Sequence, residues 1–188
     1  MTEIKSFHCL QCGACCRDLR IRLGDVTVSL FLLSTERTLF PPELVKPSWM
    51  TITGLKKMTW GWQLDADICP YMKDNMCTNY EHRPMSCRGF PVQIIHGQLG
   101  IEAFIDVKCP AAKKTRNIIN KPAVEIFGEE IIDSANFISR YSRHMLHSSQ
   151  KTFIYDLQSQ TWKEFNSHRA KMMMNSDIKR VIEHDRTS

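Results

Sequence analysis

The chain has 188 residues, 24% of them charged, with a formal net charge of +5 at pH 7. That length suits one domain, or one domain with an appendage, and the basic excess is too small to argue for nucleic acid, the more so once bound thiolates reduce it. The longest apolar run, Val26 to Leu33, is broken by Thr27 and Ser29 and is far too short to span a bilayer. Met1-Thr2-Glu3-Ile4-Lys5 is not the start of a signal peptide, so a cytoplasmic protein is expected.

In chain order, Leu19 to Leu23 alternates apolar residues with Arg20 and Arg22 and predicts a short strand. Gly24-Asp25 breaks it, and Asp25 reads as the cap of a helix over Val26 to Leu33, ended by Phe40-Pro41-Pro42. From Ile52 to Asp67, Met58, Trp60 and Trp62 alternate with Thr59, Gly61 and Gln63, as in a strand. The tryptophans read as a shield that keeps water from a metal core rather than as a stacking platform. Asp74-Asn75 marks a turn. Val92 to Ile95 and Ile101 to Val107 read as a hairpin whose second strand delivers Cys109. Beyond Lys113 a helical stripe of Val124, Phe127, Ile131, Ala135, Ile138 and Met145 predicts one long helix over 122–147. A second hairpin follows over 153–165, and last helices over 167–174 and 177–183. The expected fold is α+β: a small cysteine-rich core on short strands and loops over 1–112, and a mostly helical C-terminal part over 113–188.

The eight cysteines carry the chemistry. In Cys9-Leu10-Gln11-Cys12-Gly13-Ala14-Cys15-Cys16 the CxxC step repeats, so Cys9, Cys12 and Cys15 can line one side of a site while the backbone turns its amides toward them. Gly13 supplies the left-handed conformation such a turn needs. Zinc and iron–sulfur clusters both take about four ligands, so three local sulfurs need a remote fourth. The vicinal Cys16 serves a second site or a second metal. Cys69, Cys77, Cys87 and Cys109 form the remote set, and proline follows two of them and stiffens the turn. Arg17, Arg83 and Arg88 lie near sulfurs in sequence and would offset the negative charge of a thiolate site, against the plainer reading of surface ion pairs. A disulfide framework would also use an even number of cysteines, but the chain is too sparse in them for a small disulfide scaffold.

Cys9-Leu10-Gln11-Cys12-Gly13-Ala14-Cys15-Cys16-Arg17, followed by Cys69-Pro70-Tyr71-Met72, Cys77 and Arg83-Pro84-Met85-Ser86-Cys87-Arg88-Gly89-Phe90-Pro91, resembles the CxxCxxCC family of zinc- or iron-chelating proteins, the YkgJ-type cysteine cluster. The resemblance covers roughly residues 7 to 110. It implies metal ligation by Cys9, Cys12, Cys15, Cys16, Cys69, Cys77, Cys87 and Cys109. One relative is a flagellin lysine methylase with a similar cysteine module. The chain departs from the family after Cys109, where Pro110-Ala111-Ala112-Lys113-Lys114 stands in place of a glycine-rich segment, which puts any backbone role of those glycines in question.

Three close cysteines with a remote one before proline favour an iron–sulfur cluster over zinc, whose ribbons usually show two CxxC pairs. The first reading is therefore a metal-binding protein for redox or cluster-dependent chemistry, with catalytic residues unassigned. The alternative is a zinc-stabilised module that binds protein, or less readily nucleic acid, without catalysis. An enzyme such as a methylase is third, because no glycine-rich nucleotide loop is visible. The expected partners are the metal or cluster and a protein.

Overall fold

The structure is a computed structural model that describes residues 7–97, 100–106, 108–113, 122–146 and 151–166. The expected helices over 167–174 and 177–183 lie outside the described residues.

A five-stranded antiparallel sheet organises the fold. Its strands are β3 (Phe31–Leu33), β4 (Val45–Thr53), β5 (Lys56–Leu64), β10 (Lys151–Asp156) and β11 (Thr161–Phe165), in the order β11-β10-β4-β5-β3. Three two-stranded ribbons surround it: β1 (Ile21–Leu23) with β2 (Val26–Val28), β6 (Met72–Lys73) with β7 (Met76–Cys77), and β8 (Val92–Gly97) with β9 (Gly100–Ile105). The helices are α1 (Met85–Gly89), α2 (Pro110–Lys113), α3 (Ala123–Phe127) and α4 (Glu129–Leu146).

The expectation of a mostly helical C-terminal part is overturned. Among the described residues α4 alone is a long helix, and the hairpin β10–β11 joins the central sheet by pairing with β4. The single helix expected over 122–147 is two helices. Gly128 sits between them at φ 83, a conformation that an uninterrupted helix does not allow. The expected helix over Val26 to Leu33 is also absent. Gly24, at φ 63, and Asp25 form the turn of the β1–β2 hairpin instead of a helix cap. Val26 and Val28 then alternate with Thr27 and bury themselves against Ile154 of β10. In this short β-branched run the two-residue period wins over the helical one.

Sequence reasoning missed β4 because Pro47 sits inside it. A proline gives no ladder hydrogen bond and is tolerated where a strand bulges. The register indeed shifts between Pro47 and Trp49. The side chain of Gln63, fully buried, supplies what the ladder lacks there. Its Nε2 donates to the carbonyls of Pro47 (2.9 Å) and Tyr155 (3.0 Å), and its Oε1 accepts the amide of Ser29 (3.0 Å). Trp60 is buried, stacked on Trp49 with ring centroids 5.5 Å apart, and its carbonyl accepts the Tyr141 hydroxyl of α4 at 2.9 Å. Trp62 packs against the cluster of Leu32, Leu64 and Cys69, whereas Trp60 packs with Phe31, Trp49 and Tyr141, and neither tryptophan lines the cysteine cavity.

Asp156 closes the other end of the sheet. Its carboxylate is buried and accepts the amides of Thr27 (2.8 Å), Gln158 and Ser159 (both 3.3 Å) and the Ser159 hydroxyl (2.6 Å), with Lys163 at 2.9 Å. Burial pushes this carboxyl up, but the Ser159 hydroxyl, the Lys163 ammonium and the backbone amides outweigh it and hold it well below the usual range. The folded pKa is thus depressed. Its stabilisation is complete above the unfolded value of about 4 and is lost as pH falls through the folded one.

Asp156→Ala should lower stability at neutral pH by about 2–4 kcal/mol, read as a lower urea midpoint at unchanged m-value, and its deficit should shrink in strong acid. Gln63→Leu should cost about 2–4 kcal/mol, because three buried backbone groups lose their partner, and it should lower the thermal midpoint.

Candidate metal centre

The local geometry begins at Gly13. It lies at φ 67 and starts a single 3-10 turn over Ala14–Cys16, closed by the amide of Cys16 on the Gly13 carbonyl at 2.9 Å. A Cβ at Gly13 would stand 2.6 Å from the carbonyl oxygen of Asn75, so the cysteine loop rests directly on the β6–β7 turn. That turn is made by Asp74 (φ 51) and Asn75 (φ 63), as Asp-Asn predicts. Arg17 fastens the two together. Its Nε donates to Met72 Sδ at 3.4 Å and its terminal nitrogen to Asn75 Oδ1. The expected turning of amides toward sulfur is present too, with Gln11 N–H donating to Cys9 Sγ at 3.4 Å.

Each remote cysteine arrives on its own element. The Cys69 amide donates to the Cys16 carbonyl at 2.8 Å, and Leu19 N–H donates to Asp67 at 2.9 Å, so the two segments run side by side. Cys77 ends β7, where the Thr78 amide and hydroxyl both reach the Tyr71 carbonyl. Tyr71 in turn donates its hydroxyl to the Leu39 carbonyl. Cys87 sits in α1, held against α4 at Gly89, where a Cβ would come within 2.9 Å of the Ala135 nitrogen. Cys109 opens the turn into α2, and the amides of Ala112 and Ala111 reach its sulfur. Ala112 is fully buried in the core.

All eight cysteines line one cavity of about 50 Å³. It lies on the seam between two apolar clusters. Cys16 and Cys69 belong to one with Leu32, Phe40 and Leu64, and Cys109 belongs to the other with Val92, Ile126 and Phe127. Cys9 and Cys12 are exposed, and Cys12 also borders an open outer groove. All eight cysteines are free thiols. Among the described residues no three Cys, His, Asp or Glu side chains stand close enough together to hold a metal ion as they are. The donor chemistry nevertheless suits zinc or iron: soft sulfurs in number, facing one space, with carboxylates outside it.

The thiols differ sharply in their surroundings. Cys16 keeps its proton, because it donates to the sulfurs of Cys15 and Cys69 and is buried. Cys15 is correspondingly lowered to about 7 by the Cys16 hydrogen bond, with help from Arg83 and Lys108. Cys69 is lowered to about 7 by the same Cys16 contact. Burial pushes Cys87 and Cys109 up. Of the three arginines expected near sulfur, Arg83 lines the cavity. Arg88 donates to the Arg83 carbonyl at 2.8 Å, and Arg17 holds the β6–β7 turn. Tyr80, which sequence reasoning left without a role, is raised by burial and by the hydrogen bond of its hydroxyl to Cys9. Its place three residues before Arg83 was the available signal.

Gly13→Ala should cost roughly 1–3 kcal/mol from the left-handed backbone alone, with the Asn75 contact adding to it. The measurements are the thermal midpoint and the rate at which the cysteines react with a thiol reagent, and both should report a loosened loop.

No curated protein and no solved structure shows a match to this chain. Residues 8–121 match the CxxCxxCC family, described as a putative zinc- or iron-chelating domain. That span is more than half of the chain and contains every cysteine, so the protein belongs to the CxxCxxCC family and is a metal binder of the zinc- or iron-chelating kind.

Proposed function

We propose that Cys9, Cys12, Cys15, Cys16, Cys69, Cys77, Cys87 and Cys109 hold the metal, and that it is an iron–sulfur cluster serving redox or cluster-dependent chemistry. The observation that carries the reading is the convergence of all eight thiols on one cavity. A disulfide scaffold would pair them, and a single nucleophile would leave seven unused. The CxxCxxC spacing at Cys9, Cys12 and Cys15 favours a cluster over a zinc ribbon. When bound, a cluster supplies electron transfer or Lewis acidity.

The chain's own residues do the rest. The loop at Gly13 and the β6–β7 turn present Cys9 to Cys16 along one wall. Phe7, Phe40, Tyr71 and Phe90 line the cavity and give it apolar walls. The amides of Gln11, Ala111 and Ala112 donate to sulfur and stabilise the thiolate form. With Cys15 and Cys69 near 7, these two thiols lose their protons first as pH rises, so metal uptake should strengthen between about pH 6 and 8.

The test is metal and acid-labile sulfide analysis, with visible absorption, on protein purified without oxygen. Iron, sulfide and a brown colour that bleaches with reductant are expected. Colourless protein with zinc would instead favour the zinc-stabilised binding module. Stripping the metal should lower the thermal transition markedly, since a structural site contributes on the order of 10 kcal/mol in small zinc domains. An unchanged melting curve and circular dichroism after chelation would show that the metal does not hold the fold.

A further inference from the structure

Arg83 is the only Lys, Arg, Asp or Glu among the described residues that line the cavity. It is half-buried, with a side-chain exposure of 17%. Its guanidinium lies over the Tyr80 ring at 3.7 Å, and its Nε donates to the Tyr80 carbonyl at 2.8 Å. Among the described residues the one carboxylate within 4.0 Å of it is Glu130 of α4, itself 69% exposed, a contact too long and too wet to neutralise it. A buried cation without a close anion is unfavourable. All eight thiols share the cavity with it, and its charge acts on Cys15 and Cys87; thiolates around zinc or an iron–sulfur centre leave an excess of negative charge.

Resting on the metal reading above, we propose that Arg83 is the charge-compensating residue of the centre, so that its fixed positive charge, more than its packing, determines how firmly the thiolate-bound metal is retained. Tyr80 acts with it as a positioning residue. One face of its ring carries the guanidinium while its hydroxyl meets Cys9, and so it fixes the distance between the cation and the exposed end of the cysteine loop. A net-negative assembly is therefore the occupant this wall is built to accept.

The experiment uses metal-loaded full-length protein and follows metal release to excess EDTA. Metal content of the wild type, measured first, tests the metal reading by itself. If the wild type holds no stoichiometric metal, that reading falls before any variant is made. Given a loaded wild type, Arg83→Gln should release metal at least about tenfold faster, while Arg83→Lys, which keeps the charge but loses the flat stacking group, should stay within about threefold of the wild type. Asn79 lines the same cavity. Asn79→Lys added to Arg83→Gln should restore slow release, and Asn79→Lys alone should release metal more slowly than the wild type. For a cluster, Arg83→Gln should also lower the reduction potential. Release from Arg83→Gln as slow as from the wild type, or from Arg83→Lys as fast as from Arg83→Gln, would overturn the proposal. If Arg83→Gln fails to fold, the single variant Asn79→Lys decides: release no slower than the wild type would overturn it.

Discussion

Everything in this fold answers to the delivery of eight sulfurs to one cavity. They come from five separate stretches of chain: the loop at Cys9 to Cys16, the segment at Cys69, the end of β7, the helix α1 and the turn before α2. Such a cavity cannot be closed by hydrophobic collapse alone, because thiols at mutual contact give little apolar area and become repulsive once ionised. The centre is therefore flanked by apolar clusters rather than embedded in one. The sheet-side cluster carries Cys16 and Cys69, and the helix-side cluster carries Cys109. A metal binding to the thiols would join the two sides and so would tie the stability of the fold to its content.

The surrounding elements act as supports for particular sulfurs. Gly13 lets the cysteine loop lie on the β6–β7 turn, and Gly89 lets α1 approach α4 closely enough to fix Cys87. The central sheet stands behind them. Gln63 joins strands across the bulge at Pro47, and Asp156 ties β2 to the β10–β11 turn. These two buried polar groups are fully engaged, so they specify register as well as adding stability. No helix among the described residues is long and apolar enough to cross a membrane.

Charge is distributed with the same economy. Cys16 shares its proton with both Cys15 and Cys69, which makes three of the eight thiols one hydrogen-bonded unit. Arg17 and Arg88, equally close to cysteines in sequence, spend their donors on the β6–β7 turn and on the Arg83 carbonyl. Proximity in sequence did not separate these three arginines. Only the fold decides which one turns its guanidinium into the cavity, because that depends on the Tyr80 ring beneath it.

The sequence by itself determined the chemistry. Cysteine spacing, the glycine at residue 13, the Asp74-Asn75 turn and the hairpins leading to Cys109 and over 153–165 are local signals, each set by a few neighbouring residues, and all are present in the structure. What it could not determine were the features settled by distant partners. Val26 to Leu33 is too short for its period to be decisive, and Ile154, more than a hundred residues away, makes it extended. The strand β4 carries no readable signal around Pro47, and its ladder there is completed by the side chain of Gln63 from the neighbouring strand. The stripe from Val124 to Met145 reads as one helix until Gly128 takes a positive φ. In the same way, the meeting of all eight cysteines in one cavity is a tertiary fact, because spacing brings sulfurs together within a loop and only packing brings the loops together.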